Sequence, residues 1–97
     1  MSKMVVVTYD LHKPYPDNSH SKVNKRLGAL GLRKYIKKSD GNVVHLPDNT
    51  FARKRRTNKS PSAVRDRIKK KVDKIFEELE LDRTLFIFVG SGWAWSK

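Results

Sequence analysis

Residues 60–89 read SPSAVRDRIKKKVDKIFEELELDRTLFIFV. Ser60 and Pro61 indicate a helix start, because serine caps the first turn and proline suits the first helical position. The apolar residues that follow are spaced by 4, 4, 3 and 4 positions and so share one helical face: Val64, Ile68, Val72, Ile75 and Leu79. Residues 84–89 form an apolar run rich in aromatic and β-branched side chains, which is typical of a buried strand. This stretch therefore predicts a helix followed by a strand.

The N-terminal part of the chain predicts the reverse order, a strand followed by a helix. Residues 4–11 are mostly apolar and include a run of three valines. Residues 13–18 contain two prolines, which do not fit a helix interior, and predict a loop. Ser19 is a candidate N-cap, and Gly31 is placed to end the helix at its C′ position. The apolar face between them consists of Val23, Leu27 and Leu30.

The middle of the chain predicts a β-hairpin. It contains three candidate strand segments: residues 33–38, 43–46 and 50–55. Asp40 and Gly41 are one turn signal, and residues 47–49 (PDN) are another. We expect the hairpin to turn at 47–49.

These elements predict one α+β domain over residues 1–97, because a chain of 97 residues supports a single core. The order strand, helix, strand, strand, helix, strand is typical of the ferredoxin-like βαββαβ fold. In that fold, right-handed crossovers place both helices on one face of an antiparallel sheet.

The outer face of this sheet needs a cover. A sheet with one solvated face shows alternating apolar and polar residues, but residues 4–7 and 85–89 do not alternate. A second copy of the chain, packed about a two-fold axis, is one solution. Cover by tyrosine, tryptophan and loop residues of the same chain is the other. We expect a homodimer.

The positive charge of the chain is concentrated in one stretch. The formal net charge is +12, from 22 Lys and Arg against 10 Asp and Glu. Residues 53–74 hold eleven basic and two acidic side chains, net +9, whereas residues 75–97 are net −2. Such an excess favours a polyanionic partner, and arginine suits phosphate. Nucleic acid, an anionic membrane surface and an acidic protein are the candidate partners, and a solvated face tuned for solubility is the alternative.

We take the densest cations of this stretch as candidate nucleic-acid-binding residues. They are Arg53, Lys54, Arg55, Arg56, Lys59, Arg65, Lys69 and Lys70. Four aromatic residues, Tyr15, Tyr35, Trp93 and Trp95, are candidates for stacking on bases. The chain has no cysteine, which excludes disulfides, thiolate metal sites and cysteine nucleophiles. The first apolar run is too short for a signal peptide or a membrane span, so we expect a cytoplasmic protein that does not enter a membrane.

Asp10 is the candidate catalytic and metal-binding residue. It ends an apolar strand, and in a dimer two such carboxylates can share a Mg²⁺ ion, which takes oxygen ligands and activates water against a phosphodiester. The alternative is that Asp10 only caps the following turn. His12 lies two residues further on and is either an acid, base or phosphate ligand or a polar loop residue.

Several short motifs occur in the order found in a known family. They are Tyr9-Asp10-Leu11, LGALG at residues 27–31, LPDNTF at 46–51 and SAVRD at 62–66. In these motifs the chain resembles the Cas-two family of small CRISPR adaptation proteins and its stand-alone relatives. The resemblance implies a ferredoxin-like homodimer, with Asp10 near the two-fold axis as the metal-binding residue of an endoribonuclease. Other members of that family hold duplex DNA through basic surfaces and do not require cleavage.

Two departures from the family pattern bear on function. Residues 33–42 resemble an insertion before the hairpin, and the basic run at 53–56 is denser than the pattern needs. The second departure favours binding over catalysis. The sequence therefore predicts a homodimer that binds duplex DNA or RNA. The alternatives are a Mg²⁺-dependent endonuclease centred on Asp10 and a basic protein-interaction or inhibitor module.

Overall fold

The computed structural model describes residues 2–38 and 40–90 of the chain. Their elements are β1 (Ser2–Leu11), α1 (Ser19–Ala29), β2 (Tyr35–Lys37), β3 (Val43–His45), β4 (Thr50–Arg56), α2 (Pro61–Glu78) and β5 (Arg83–Gly90). Three strands form an antiparallel sheet in the order β4-β1-β5, and β2 pairs with β3 in a separate small sheet. The predicted α+β fold, with an antiparallel sheet and two helices on one face, is confirmed.

The core lies between the sheet and the two helices. Alternate residues of β1, among them Val5, Val7 and Tyr9, face the helices and are buried with Val23 and Leu27 of α1. From α2, the buried residues are Val64, Ile68, Val72, Ile75 and Phe76. Burying each of these large apolar side chains stabilises the fold by about 1.5–3 kcal/mol. The periodicity that predicted the helices therefore marks their buried faces.

Two of the three predicted helix ends are confirmed. Ser60 caps α2 by accepting a hydrogen bond from the Ala63 backbone amide at 3.2 Å. Gly31 ends α1 with a φ of 86°, and its amide bonds the Gly28 carbonyl, as in a Schellman motif. The predicted N-cap of α1 is wrong by one residue. Asn18 is the N-cap, because its carbonyl accepts the first helical bond, and Ser19 is a buried first-turn residue.

The predicted hairpin turn at residues 47–49 is wrong. The paired strands are β2 and β3, joined by a turn in which the Lys38 amide bonds the Asn42 carbonyl at 2.8 Å. Asp40 Oδ1 accepts from the Asn42 amide at 2.9 Å, and Gly41 takes a φ of 90°. Residues 47–49 also turn the chain, but they lead into β4, which pairs along its length with β1.

Among the residues that the structure describes, the face of the sheet away from the helices is covered on one side only. The β2–β3 hairpin lies over the β4 side, where Met4, Ile36 and Ala52 form a second buried cluster, here called the hairpin cluster. On the β5 side, Phe86 is 60% exposed and Phe88 is 51% exposed. Neither described helix combines the length and hydropathy needed to cross a membrane.

We call the uncovered part the open strip. It consists of Phe86 and Phe88, whose half-buried cross-strand neighbours on β1 are Thr8 and Val6. The chain itself thus supplies part of the cover that the sequence requires, through the β2–β3 hairpin.

Candidate nucleic-acid interface

Two of the eight predicted cations stabilise the fold at the outer edge of β4. Arg53 Nη1 donates to the Leu30 carbonyl at 2.7 Å, which satisfies an oxygen at the end of α1 and places a cation at the negative end of that helix. Lys54 Nζ donates to the Lys37 carbonyl at 3.1 Å and so ties β2 to β4. Arg53 and Lys54 therefore have structural contacts that the sequence does not reveal.

Arg65 and Lys69 lie on the side of α2 that borders β5, and both have acidic partners. Arg65 Nη2 is 2.9 Å from Asp66 Oδ1, and Lys69 Nζ is 2.7 Å from Asp73 Oδ2. Arg83 also reaches Asp73, at 2.8 Å. Burial raises the pKa of the Asp73 carboxyl, but the hydrogen bonds and charges of Lys69 and Arg83 outweigh it and hold the pKa below its usual value. The charge on this side of α2 is thus largely neutralised.

The opposite side of α2 carries four exposed cations, here called the α2 basic face. They are Arg67, Lys70, Lys71 and Lys74, spaced i, i+3, i+4 and i+7. At 3.6 residues per turn they fall within an arc of roughly 100°. Within the described part of the chain, none of the four has an acidic partner. Only Lys70 was among the predicted site residues, although the helical spacing of the other three is visible in the sequence.

The neighbouring cations extend this positive surface in two directions. The ion pair between Arg26 and Glu78 joins α1 to α2 on this side, and Lys22, one turn before Arg26, is exposed on the same side of α1. Arg56 and Lys59 are exposed at the end of β4 and in the link to α2.

A pair of like charges lies at the same end of the sheet. Lys3 is 5% exposed and is the cross-strand partner of Arg55, which is half-buried. Like charges directly opposite each other destabilise a sheet. An anion bound nearby would relieve the repulsion between them.

Asp10 is exposed on the helix-free face, with Thr84 as its cross-strand partner. Among the described residues its carboxylate caps no turn, and no group of three or more His, Asp or Glu residues lies close enough together to hold a metal ion. The His12 ring contacts Asp82, which directly precedes β5, and Thr84 in β5. Its Nδ1 lies 3.1 Å from Asp82 Oδ2, and its Nε2 lies 2.7 Å from Thr84 Oγ1.

The four aromatic candidates for stacking on bases differ in how exposed they are. Tyr15 is half-buried and packs edge-on against His20, at 5.5 Å between ring centroids. Tyr35 is 42% exposed, and Trp93 and Trp95 lie outside the described residues.

Tyr9, which precedes Asp10, has a structural role. Its hydroxyl donates to Asn24 Oδ1 at 2.7 Å and so ties β1 to α1. Burial, with a smaller effect of Tyr15, raises the pKa of Tyr9 to about 12. The hydroxyl is therefore un-ionised at neutral pH and remains a hydrogen-bond donor.

No family model matches the sequence of the chain, and no curated protein is significantly similar to it.

Proposed function

We propose that the protein is a homodimer that binds the phosphate backbone of duplex DNA or RNA through the α2 basic face. The observation that carries the proposal is the set of four exposed cations at helical spacing without acidic partners in the described residues. Residues 67 to 74 span roughly 10 Å along the helix axis. This length corresponds to about three phosphates of one strand, at about 3.4 Å each along the duplex axis.

Two further features support a polyanionic ligand. Arg56 and Lys59 add positive charge at the end of β4 and in the link to α2, and Lys3 and Arg55 face each other as like charges. Both features raise the local positive potential. A phosphate backbone supplies the missing negative charge and releases counterions when it binds.

The open strip supports a homodimer. Phe86 and Phe88 are large apolar side chains on an edge strand, and a second copy of the strip is an apolar surface of matching size. Packing strip against strip about a two-fold axis buries the four phenylalanines of the two copies. Because the helices lie on the other side of each sheet, this dimer directs both α2 basic faces outward.

The first test removes the α2 basic face. Replacing Lys70, Lys71 and Lys74 with alanine is expected to weaken binding to a labelled duplex about 10- to 100-fold and to lower the slope of log affinity against log salt by about 3, one unit for each lost phosphate contact. The loss should be similar for unrelated sequences, since phosphate contacts do not read bases. Fluorescence anisotropy over a salt series measures both quantities.

The matched control removes cations from the neutralised side of the same helix. The double variant Arg65→Ala with Lys69→Ala is expected to retain most of the affinity, because both side chains lie beside β5, away from the α2 basic face, and are engaged by Asp66 and Asp73. If both variants lose the same affinity for each charge removed, net charge alone drives binding. That result would contradict binding through the α2 basic face. An acidic protein captured by the wild type after nuclease treatment, together with no duplex binding, would favour the interaction-module alternative.

A second candidate function is a Mg²⁺-dependent endonuclease, favoured by the position of Asp10 beside the open strip. A dimer that packs through this strip brings two exposed Asp10 carboxylates to one interface, and two carboxylates with a phosphate are a usual Mg²⁺ environment. We expect any cleavage of RNA or DNA to require Mg²⁺ and to be lost in Asp10→Asn. The measurement is cleavage of labelled strands with and without chelator. Cleavage that survives the substitution would come from another source and would rule this function out.

A further inference from the structure

A groove of about 410 Å³ runs between the β2–β3 hairpin and the outer edge of β4. It exists because β2 does not pair with β4 along its length. A single bridge joins Arg33 to Ala52, with reciprocal amide–carbonyl bonds of 2.9 and 2.8 Å, and beyond it the two strands separate. The hairpin cluster contributes the apolar lining of the groove. Met4 of β1 belongs to this lining, so the groove extends from the edge of β4 onto the face of the main sheet under the hairpin.

The charged lining of this groove is uniformly positive. Four cations contribute to it, Arg33, Lys37, Arg53 and Lys54, and no acidic residue among the described ones does so. Arg33 and Arg53 each use Nη1 to bond backbone carbonyls. A guanidinium has five N–H donors, so both arginines keep Nε and Nη2 donors for a ligand. The groove is therefore complementary in charge to an anion.

Tyr35 adds a feature that a phosphate site alone does not need. It lines the groove and is 42% exposed, although it is a large aromatic residue in a paired strand. An aromatic ring beside an apolar lining and several cations is the combination that recognises single-stranded nucleic acid, in which bases stack and phosphates pair with Arg and Lys. A base inside a duplex is stacked on both faces and is not available to such a ring.

We infer that this groove binds an unpaired nucleotide of a nucleic-acid strand, with the base against Tyr35 and the phosphate between Arg33 and Arg53. The inference rests on the proposed function and deepens it. The α2 basic face holds the duplex, and the groove takes a single-stranded end or overhang. The preferred ligand is then a duplex with a tail.

The test compares a short blunt duplex with the same duplex carrying an oligothymidine tail, at either the 3′ or the 5′ end. The tail is expected to increase affinity about tenfold at fixed salt, the effect of one stacked base. Tyr35→Ala should remove this gain and leave blunt-duplex affinity unchanged, whereas Tyr35→Phe should keep it. Val43→Ala, an exposed change on the same hairpin, serves as the control and should keep the gain.

Photocrosslinking locates the tail independently of affinity. A tail that contains 5-iodouracil is expected to crosslink to the peptide with Tyr35. The inference is overturned if neither tail adds affinity, if the gain survives Tyr35→Ala, or if the crosslink falls on Trp93 or Trp95. Failure of the proposed function gives a different result, which is the absence of salt-dependent binding to the blunt duplex.

Discussion

Replacing Phe86 and Phe88 with glutamate is expected to dissociate the proposed dimer into monomers that still fold. Both side chains point away from the core, at 60% and 51% exposure, so the substitutions remove little buried packing within one chain. In the proposed dimer they place four carboxylates of like charge in one apolar interface. Such juxtaposition costs several kcal/mol, and a loss of about 4 kcal/mol weakens dimerisation about 1,000-fold.

Sedimentation equilibrium over a range of protein concentrations measures this change, and circular dichroism confirms that the monomer is folded. The control variant carries the same chemical change outside the open strip, Tyr35→Glu with Val43→Glu, and should remain dimeric. A wild-type protein that is monomeric at all concentrations would contradict the homodimer. A Phe86→Glu, Phe88→Glu variant that stays dimeric would show that the copies meet through another surface.

The monomeric variant also tests whether the two α2 basic faces act together. In the proposed dimer, a long duplex that contacts both faces gains affinity through the high effective concentration of the second face. The monomer is then expected to bind a long duplex with about half the salt slope of the dimer and to bind a very short duplex almost as well as before. A loss of affinity for long duplexes alone would indicate loss of the dimer. A loss for short duplexes as well would indicate damage to the α2 basic face.

The helices and main strands were predictable because local pattern determines them. Val64, Ile68, Val72 and Ile75 follow the helical period, and Ser60 and Gly31 mark ends through local backbone chemistry. The hairpin was not predictable in this way. Residues 40–41 and 47–49 carry turn signals of similar strength, and the pairing of β4 with the distant β1 leaves β3 to pair with β2. Which of the two turns forms the hairpin therefore depends on contacts between residues about fifty positions apart in the sequence.

The candidate interface was predictable as a region but not residue by residue. The charge count located it within residues 53–74. It could not show that Arg53 bonds Leu30 or that Lys69 pairs with Asp73, since those contacts depend on folding. It also gave no reason to group Arg67 with Lys70, Lys71 and Lys74, although a helical projection of the charges does so. Helical periodicity applied to cations, as well as to apolar residues, would have found the α2 basic face.

Replacing Phe76 with alanine is expected to lower the free energy of unfolding by about 3–5 kcal/mol, the usual cost of removing a buried phenylalanine. Phe76 is fully buried in α2, packs edge-on against Tyr9 at 5.3 Å between ring centroids, and lies under the Arg83 guanidinium at 5.2 Å. Alanine leaves a cavity where α2 meets β1. Domains of this size are stable by only about 5–15 kcal/mol in total, so the loss is a large fraction of the whole. Urea denaturation at one fixed protein concentration measures it, since dimerisation would make stability depend on concentration.

Phe76→Leu is the matched control, with an expected loss of about 1–2 kcal/mol, because leucine refills much of the cavity. Phe76 lies on the buried side of α2, away from the α2 basic face, so the two kinds of variant should separate stability from binding. Phe76→Ala should bind duplex with wild-type affinity per folded molecule, and the lysine variant should unfold at the wild-type urea concentration. A cost below about 1 kcal/mol for Phe76→Ala would contradict the packing of α2 on β1 and, with it, the orientation that exposes the four cations. The stability of one buried ring therefore tests the geometry on which the proposed interface depends.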